Sequence, residues 1–217
     1  MSEQTTEDFS FEYDDSEVAK SDKNAAKITD GGAYVGQFPV ERPPSYVEAD
    51  SGAKAIEFEF ETEDGGKTNF TVWMIGKTGQ KTFGYAQVMG LCYLMDAKLK
   101  AVPGKVMRWV DGEKGRVREE VDGMVYPDLA GKRIGLILEK ELTGDREDNP
   151  NGDKYRFNLF GAFDPKTKLT ATELKERKTR PEKFDKYLKA LRVRDSRKKG
   201  AAEPSQPSMG LPAEGGY

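Results

Sequence analysis

Trp73 stands in an alternating run, FTVWMI, on the opposite parity from Phe70, Val72 and Met74. If those three are buried, the indole faces solvent. An exposed indole is a flat apolar platform on which a planar ring can stack, worth about 1–3 kcal/mol per nucleic-acid base. Its ordinary alternative is packing against a neighbouring hairpin. Trp109, beside Arg108, is a second candidate, and Tyr34, Phe38, Tyr46 and Tyr155 are aromatic positions that parity alone does not sort into core and surface. Cations accompany them: Lys77 and Lys81 after the Trp73 run, Lys105 and Arg108 beside Trp109, Lys132 and Arg133 further on, and Lys154 and Arg156 around Tyr155. Flat faces for bases and cations for phosphates are what a protein needs to hold a single strand without reading its sequence. Each cation taken singly is an ordinary solvated charge; their grouping around the ends of presumed strands is the signal. Glu57, Glu59 and Glu61 make one outer strand face anionic, which places a phosphate-binding groove elsewhere.

The composition narrows the chemistry. There is no histidine among 217 residues and one cysteine, Cys92, so Ser-His-Asp and Cys-His catalysis are excluded and a zinc site lacks ligands. Cys92 lies in an apolar helical run and reads as a core residue. Gly76-Lys77-Thr78 resembles the end of a phosphate-binding loop, but Thr71 occupies the position of the required upstream glycine. The acidic turn from Glu147 lacks the closing glutamate of a calcium loop, since Asn158 stands there. No metal and no cofactor is expected, and no enzymatic activity. The acidic N-terminal stretch has no apolar core of a signal peptide, and no run approaches membrane-spanning length, so a cytoplasmic protein is expected.

The elements that would position these residues follow from period. Residues 55–75 alternate on both sides of Asp64-Gly65-Gly66, a hairpin. Residues 33–40 read as a strand bent at Gly36, and residues 42–46, with Pro43 and Pro44, as a stiff connection. Residues 82–99 change to helical period, with Phe83, Ala86, Val88, Met89, Leu91, Cys92, Leu94 and Met95 on one side and Thr82 as N-cap. Residues 105–121 read as an inserted hairpin, and 133–142 and 154–163 as strands, the first covered on both faces. Residues 172–178 and 181–191 read as helices. The chain thus divides into an acidic leader (1–28), a β domain (29–165), a basic helical extension (166–199) and a Pro/Gly/Ser-rich tail (200–217).

A helix between the third and fourth of five strands is the arrangement of the oligonucleotide/oligosaccharide-binding (OB) barrel, with a generic α+β sandwich as the alternative. The expected fold is therefore mainly β: a five-stranded OB-type barrel with one helix between strands 3 and 4, an inserted hairpin and C-terminal helices. Residues 32–163 resemble phage-type single-stranded DNA-binding proteins of the OB class. The resemblance is carried by Gly32-Ala33-Tyr34, the strand pair at Ile56–Phe60 and Phe70–Met74, the helix from Phe83, and Leu129-Ala130-Gly131-Lys132. It implies sequence-independent binding that protects or organises single-stranded DNA in replication, recombination and repair. Partners expected on the same ground are single-stranded DNA and replication or recombination proteins, reached through the acidic leader or the C-terminal tail. The family's dense acidic C-terminal tip is missing here; Pro212 to Tyr217 holds one acid, and the dense acid lies at the N-terminus. That segregation raises a separate expectation, that the leader competes with DNA for the basic groove. The competing functional expectations are a protein-binding barrel and a Mg²⁺-dependent nuclease.

Overall fold

The computed structural model describes residues 27–112 and 115–198, with the side chains of Trp109 and Arg116 left out. The chain is mainly β. Its strands are β1 (Gly32–Gln37), β2 (Ser45–Glu48), β3 (Lys54–Thr62), β4 (Lys67–Ile75), β5 (Val102–Gly112), β6 (Gly115–Val125), β7 (Arg133–Leu142), β8 (Tyr155–Phe163) and β9 (Arg194–Asp195). The helices are α1 (Phe83–Leu94), α2 (Ala171–Lys175) and α3 (Glu182–Ala190). All strand pairs are antiparallel except β7 with β9. The hydrogen-bonded order is β5-β6-β2-β3-β1-β7-β8, with β4 on the other edge of β3. The sheet curls until β4 and β8 pack side by side, where no ladder joins them among the described residues. It is therefore not a closed barrel.

The strands exceed the five expected. β1 and β2 both pair with β3, one at its end and the other at its start, so they behave as one strand interrupted over residues 38–44. Pro39, Pro43 and Pro44 supply no N–H to a ladder and make that break. The stretch read as a stiff connection thus ends in a strand, because the pairing edge of β3 is still open there. The inserted hairpin is longer than its hydrophobic pattern suggests: β5 and β6 pair in register from Val102↔Val125 to Gly112↔Gly115. It joins the sheet where Ser45 pairs with Val125.

Alternation builds the core. Ile56, Phe58 and Phe60 of β3 and Phe70, Val72 and Met74 of β4 are buried. Phe58 lies opposite Phe70 in the register, and their rings stack with centroids 5.1 Å apart. Such cross-strand aromatic pairs add about 0.5–1.5 kcal/mol beyond burial. Gly36 allows β1 to cross β3: a Cβ there would overlap the Glu61 carbonyl. β7 is covered on both faces as its sequence suggests. Ile134, Leu136 and Leu138 join the main core, while Ile137 joins a second cluster with Phe163 and Phe184.

α1 is anchored to β4 at its first turn. Gly84 sits so close to the Trp73 carbonyl and Val72 that a side chain would not fit. Thr82 occupies the N-cap position, but its hydroxyl donates to the Trp73 carbonyl instead of capping the helix. Val88, Leu91 and Cys92 face the core, and burial pushes the Cys92 thiol pKa up, consistent with an inert core residue. Phe83 departs from expectation: it is 77 % exposed. Because α1 begins at Phe83, that ring lies at the helix's outer end, beyond the packed stripe.

The basic extension folds onto the outside of the sheet. Phe184, Tyr187 and Leu191 pack over Ile137, Phe160 and Phe163. A capping box at Thr170 and Glu173 starts α2. Several of its cations are spent locally: Lys178 pairs with Glu182, Arg197 with Asp195, and Lys198 with Asp145. No helix among the described residues is long and apolar enough to cross a membrane.

Candidate nucleic-acid interface

The unbonded seam between β4 and β8 is a surface trough. Outward parity on β4 presents Lys67, Asn69, Thr71 and Trp73, all exposed, while the alternate residues fill the core. On β8 the same alternation presents Arg156 and Asn158. The middle of the trough is lined by Asn69, Thr71, Trp73, Arg156 and Asn158, with Phe70 and Phe157 as its floor. Trp73 is 44 % exposed there, so its side chain is open to a planar partner. The trough continues to a basic end formed by Lys27, Arg42, Lys67, Arg118, Tyr155 and Arg156. Five cations from five separate stretches of chain thus converge beside two aromatic rings.

Charge at the basic end is partly balanced. Arg42 pairs with Glu59 at 3.1 Å and Lys67 with Glu61 at 3.4 Å, while Lys27 and Arg118 have no acidic partner among the described residues. Lys27 and Lys140 lie over the Tyr155 ring, 5.0 and 4.7 Å from its centroid. Arg156 grips the buried carboxylate of Glu141 with two hydrogen bonds of 3.1 and 3.0 Å. Burial opposes charge on Glu141, but bonds from Arg156, Ser196 and Asn158 outweigh it and hold its pKa down at about 2. The Arg156 side chain itself remains largely exposed to the trough.

The glutamates of β3 correct one expectation. Glu57, Glu59 and Glu61 were expected to repel phosphate as an anionic stripe, yet each has its own cation: Arg108, Arg42 and Lys67. The charges arrive from β5, the interrupted first strand and β4, so the sequence of β3 alone could not show the neutralisation. The basic end of the trough therefore runs directly beside Glu59.

Of the residues singled out from sequence, Trp73, Tyr155 and Arg156 come together. Phe38 does not: it is fully buried against Phe58 and Phe60, because Tyr34, Gly36 and Phe38 share the inward parity of β1. Tyr34 is half-buried against the core, and its hydroxyl donates to the Asp30 carbonyl. Tyr46 likewise packs on the core; burial and then its bond to Glu48 push its hydroxyl pKa up to about 12. Arg108 is committed to Glu57 and to the Tyr46 carbonyl. Lys105 pairs with Asp122, Lys132 with Asp128 and the Asp96 carbonyl, and Arg133 with Glu63. These four cations are paired with carboxylates away from the trough's middle. Lys154 is exposed on the turn before β8. Lys77 is exposed in the β4–α1 loop, and Lys81 lies over the Tyr85 ring at 4.1 Å. The Trp109 side chain is outside the described residues.

Sequence reasoning missed Lys27, Arg42, Lys67, Asn69, Arg118 and Asn158. Lys67, Asn69 and Asn158 carried a usable signal, since they share parity with Trp73 or Arg156. Lys27, Arg42 and Arg118 come from a terminus, a loop and another hairpin, and only tertiary structure brings them here. No protein-family model matches this chain, and no curated protein does. What it does must therefore be inferred from the trough: an exposed indole flanked by convergent cations along the gap between two strands.

Proposed function

We propose that this chain is a non-enzymatic protein that binds single-stranded DNA without regard to sequence, protecting or organising exposed strands in phage-type replication, recombination and repair. The observation that carries the reading is the trough itself: Trp73 exposed beside Arg156, with Lys27, Arg42, Lys67 and Arg118 at one end. Bases stack on the indole, and the cations follow the phosphates. β1 lies between β3 and β7, β2 continues along the same edge of β3, and β4 and β8 are adjacent without a ladder; this order supports an OB-type barrel left open at one seam. In this reading the β5–β6 hairpin is an insertion and α1 covers one end of the barrel.

The test is a titration with oligo-dT followed by tryptophan emission. Binding quenches Trp73, and Trp73→Ala removes most of the quench while weakening affinity by about 1–3 kcal/mol. With up to five cations in the trough, log K falls against log salt with a slope of about −2 to −3.5. Saltless binding, or none, would leave the protein-binding barrel as the better reading. Shortening of the oligonucleotide in Mg²⁺ would make the chain a nuclease.

A further inference from the structure

The seam does not stop at Trp73. Beyond Asn158, β8 continues as Leu159 to Ala162 and lines a second, more apolar groove with α1. The first residue of that groove is Phe83, the most exposed large apolar residue among those described, at 77 %. Its position is fixed by its neighbours. Thr82 donates its backbone N–H to the Met74 carbonyl at 2.9 Å and its hydroxyl to Trp73, and Gly84 abuts the Trp73 carbonyl. The backbone around Phe83 is thus held against the Trp73 and Met74 carbonyls, on an element that is itself tied to β8 by the bond from Gln87 to the Leu159 carbonyl. Two cations of the adjoining loop, Lys77 and Lys81, have no acidic partner among the described residues.

We propose that Phe83 is a second stacking platform, so that one strand of DNA runs from the Lys27–Tyr155 end, past Trp73, onto Phe83, with Lys77 and Lys81 meeting its phosphates there. This rests on the single-stranded DNA reading above. Three observations separate Phe83 from a stray surface aromatic. Its backbone is held at both flanking residues, its groove and the Trp73 trough lie on consecutive stretches of β8, and Lys77 and Lys81 of the preceding loop are uncommitted to carboxylates among the described residues. With the backbone already anchored, a base that covers the ring has only side-chain torsions left to order, which favours stacking.

The experiment compares the full chain with Phe83→Ala, Phe83→Trp and Trp73→Ala by anisotropy of dye-labelled oligo-dT of about 4 and about 12 nucleotides, within the range one such fold engages. Phe83→Ala weakens the longer oligonucleotide by about 5- to 100-fold and leaves the shorter one, bound at Trp73 and the basic end, nearly unchanged. Phe83→Trp restores the longer one and adds a second quenched tryptophan. Equal affinity of Phe83→Ala and wild type at both lengths, with Trp73→Ala still impaired, overturns the platform and leaves the function standing. Wild type that binds neither length overturns the function itself. If Phe83→Ala instead breaks up a dimer in sedimentation velocity while DNA affinity is unchanged, the groove belongs to a second copy and the platform is likewise rejected.

Discussion

Arg156 serves two partners at once. It is the charge beside Trp73, and it is also the clamp on the Glu141 carboxylate, which is 2 % exposed. Glu141 titrates far below its ordinary range in the folded chain, so its contribution to stability is complete above about pH 4.5 and is lost as pH falls toward about 2. Arg156→Lys keeps the positive charge but cannot reproduce the two-pronged contact. The Glu141 pKa then rises, and acid unfolding followed by circular dichroism begins at higher pH. At neutral pH the variant loses about 1–3 kcal/mol of stability. The salt slope of DNA binding stays as in wild type, because the phosphate still meets one charge. An acid transition that does not move would remove Arg156 from the support of Glu141. The doublet Tyr155-Arg156 was legible as aromatic plus cation. That its cation also holds a buried acid from β7 was not, because Glu141 looks like any surface glutamate until β8 pairs with it.

Among the elements, α1 shows how one residue type takes opposite roles. Gly84 meets the β4 backbone and has no room for a methyl group, whereas at Gly90 the nearest atom is the Ala171 Cβ, 3.7 Å away. Gly84→Ala must lift the helix from β4 and costs about 1–3 kcal/mol. Gly90→Ala fills an ordinary contact in a helix interior and stabilises by about 0.4–1 kcal/mol. Urea midpoints measured on the two variants should move in opposite directions; a common direction would contradict the packing described. Since Gly84 also clamps Phe83, its variant should weaken binding of the longer oligonucleotide as well. Periodicity located the start of this helix but ran it five residues past its end at Leu94, and treated its two glycines alike. It also put Phe83 on the buried stripe, because a helix's first residue projects past the surface on which the later turns pack.

At the scale of the whole molecule, the acidic leader joins the body at the basic end of the trough. Ile28 is buried in the core and donates its N–H to Lys67, while Lys27 lines the trough. A deletion testing whether the leader competes with DNA must therefore stop at residue 26. The charge segregation predicts tighter oligo-dT binding at low salt and a difference that fades as salt screens it; unchanged affinity at low salt would exclude the competition. The sequence by itself determined the strands of the β3–β4 hairpin, β7 and β8, and the outward parity of Trp73, because alternation is a local property enforced by burial of every second side chain. Only the tertiary structure decided which charges are free. It paired Glu57, Glu59 and Glu61 with cations from three other segments, committed Lys105, Arg108, Lys132 and Arg133 to carboxylates or carbonyls, and gathered Lys27, Arg42 and Arg118 at one rim. Charge reaches across strands, and its partners are set by which segments the closing sheet brings within a few ångströms, a distance that no spacing along the chain encodes.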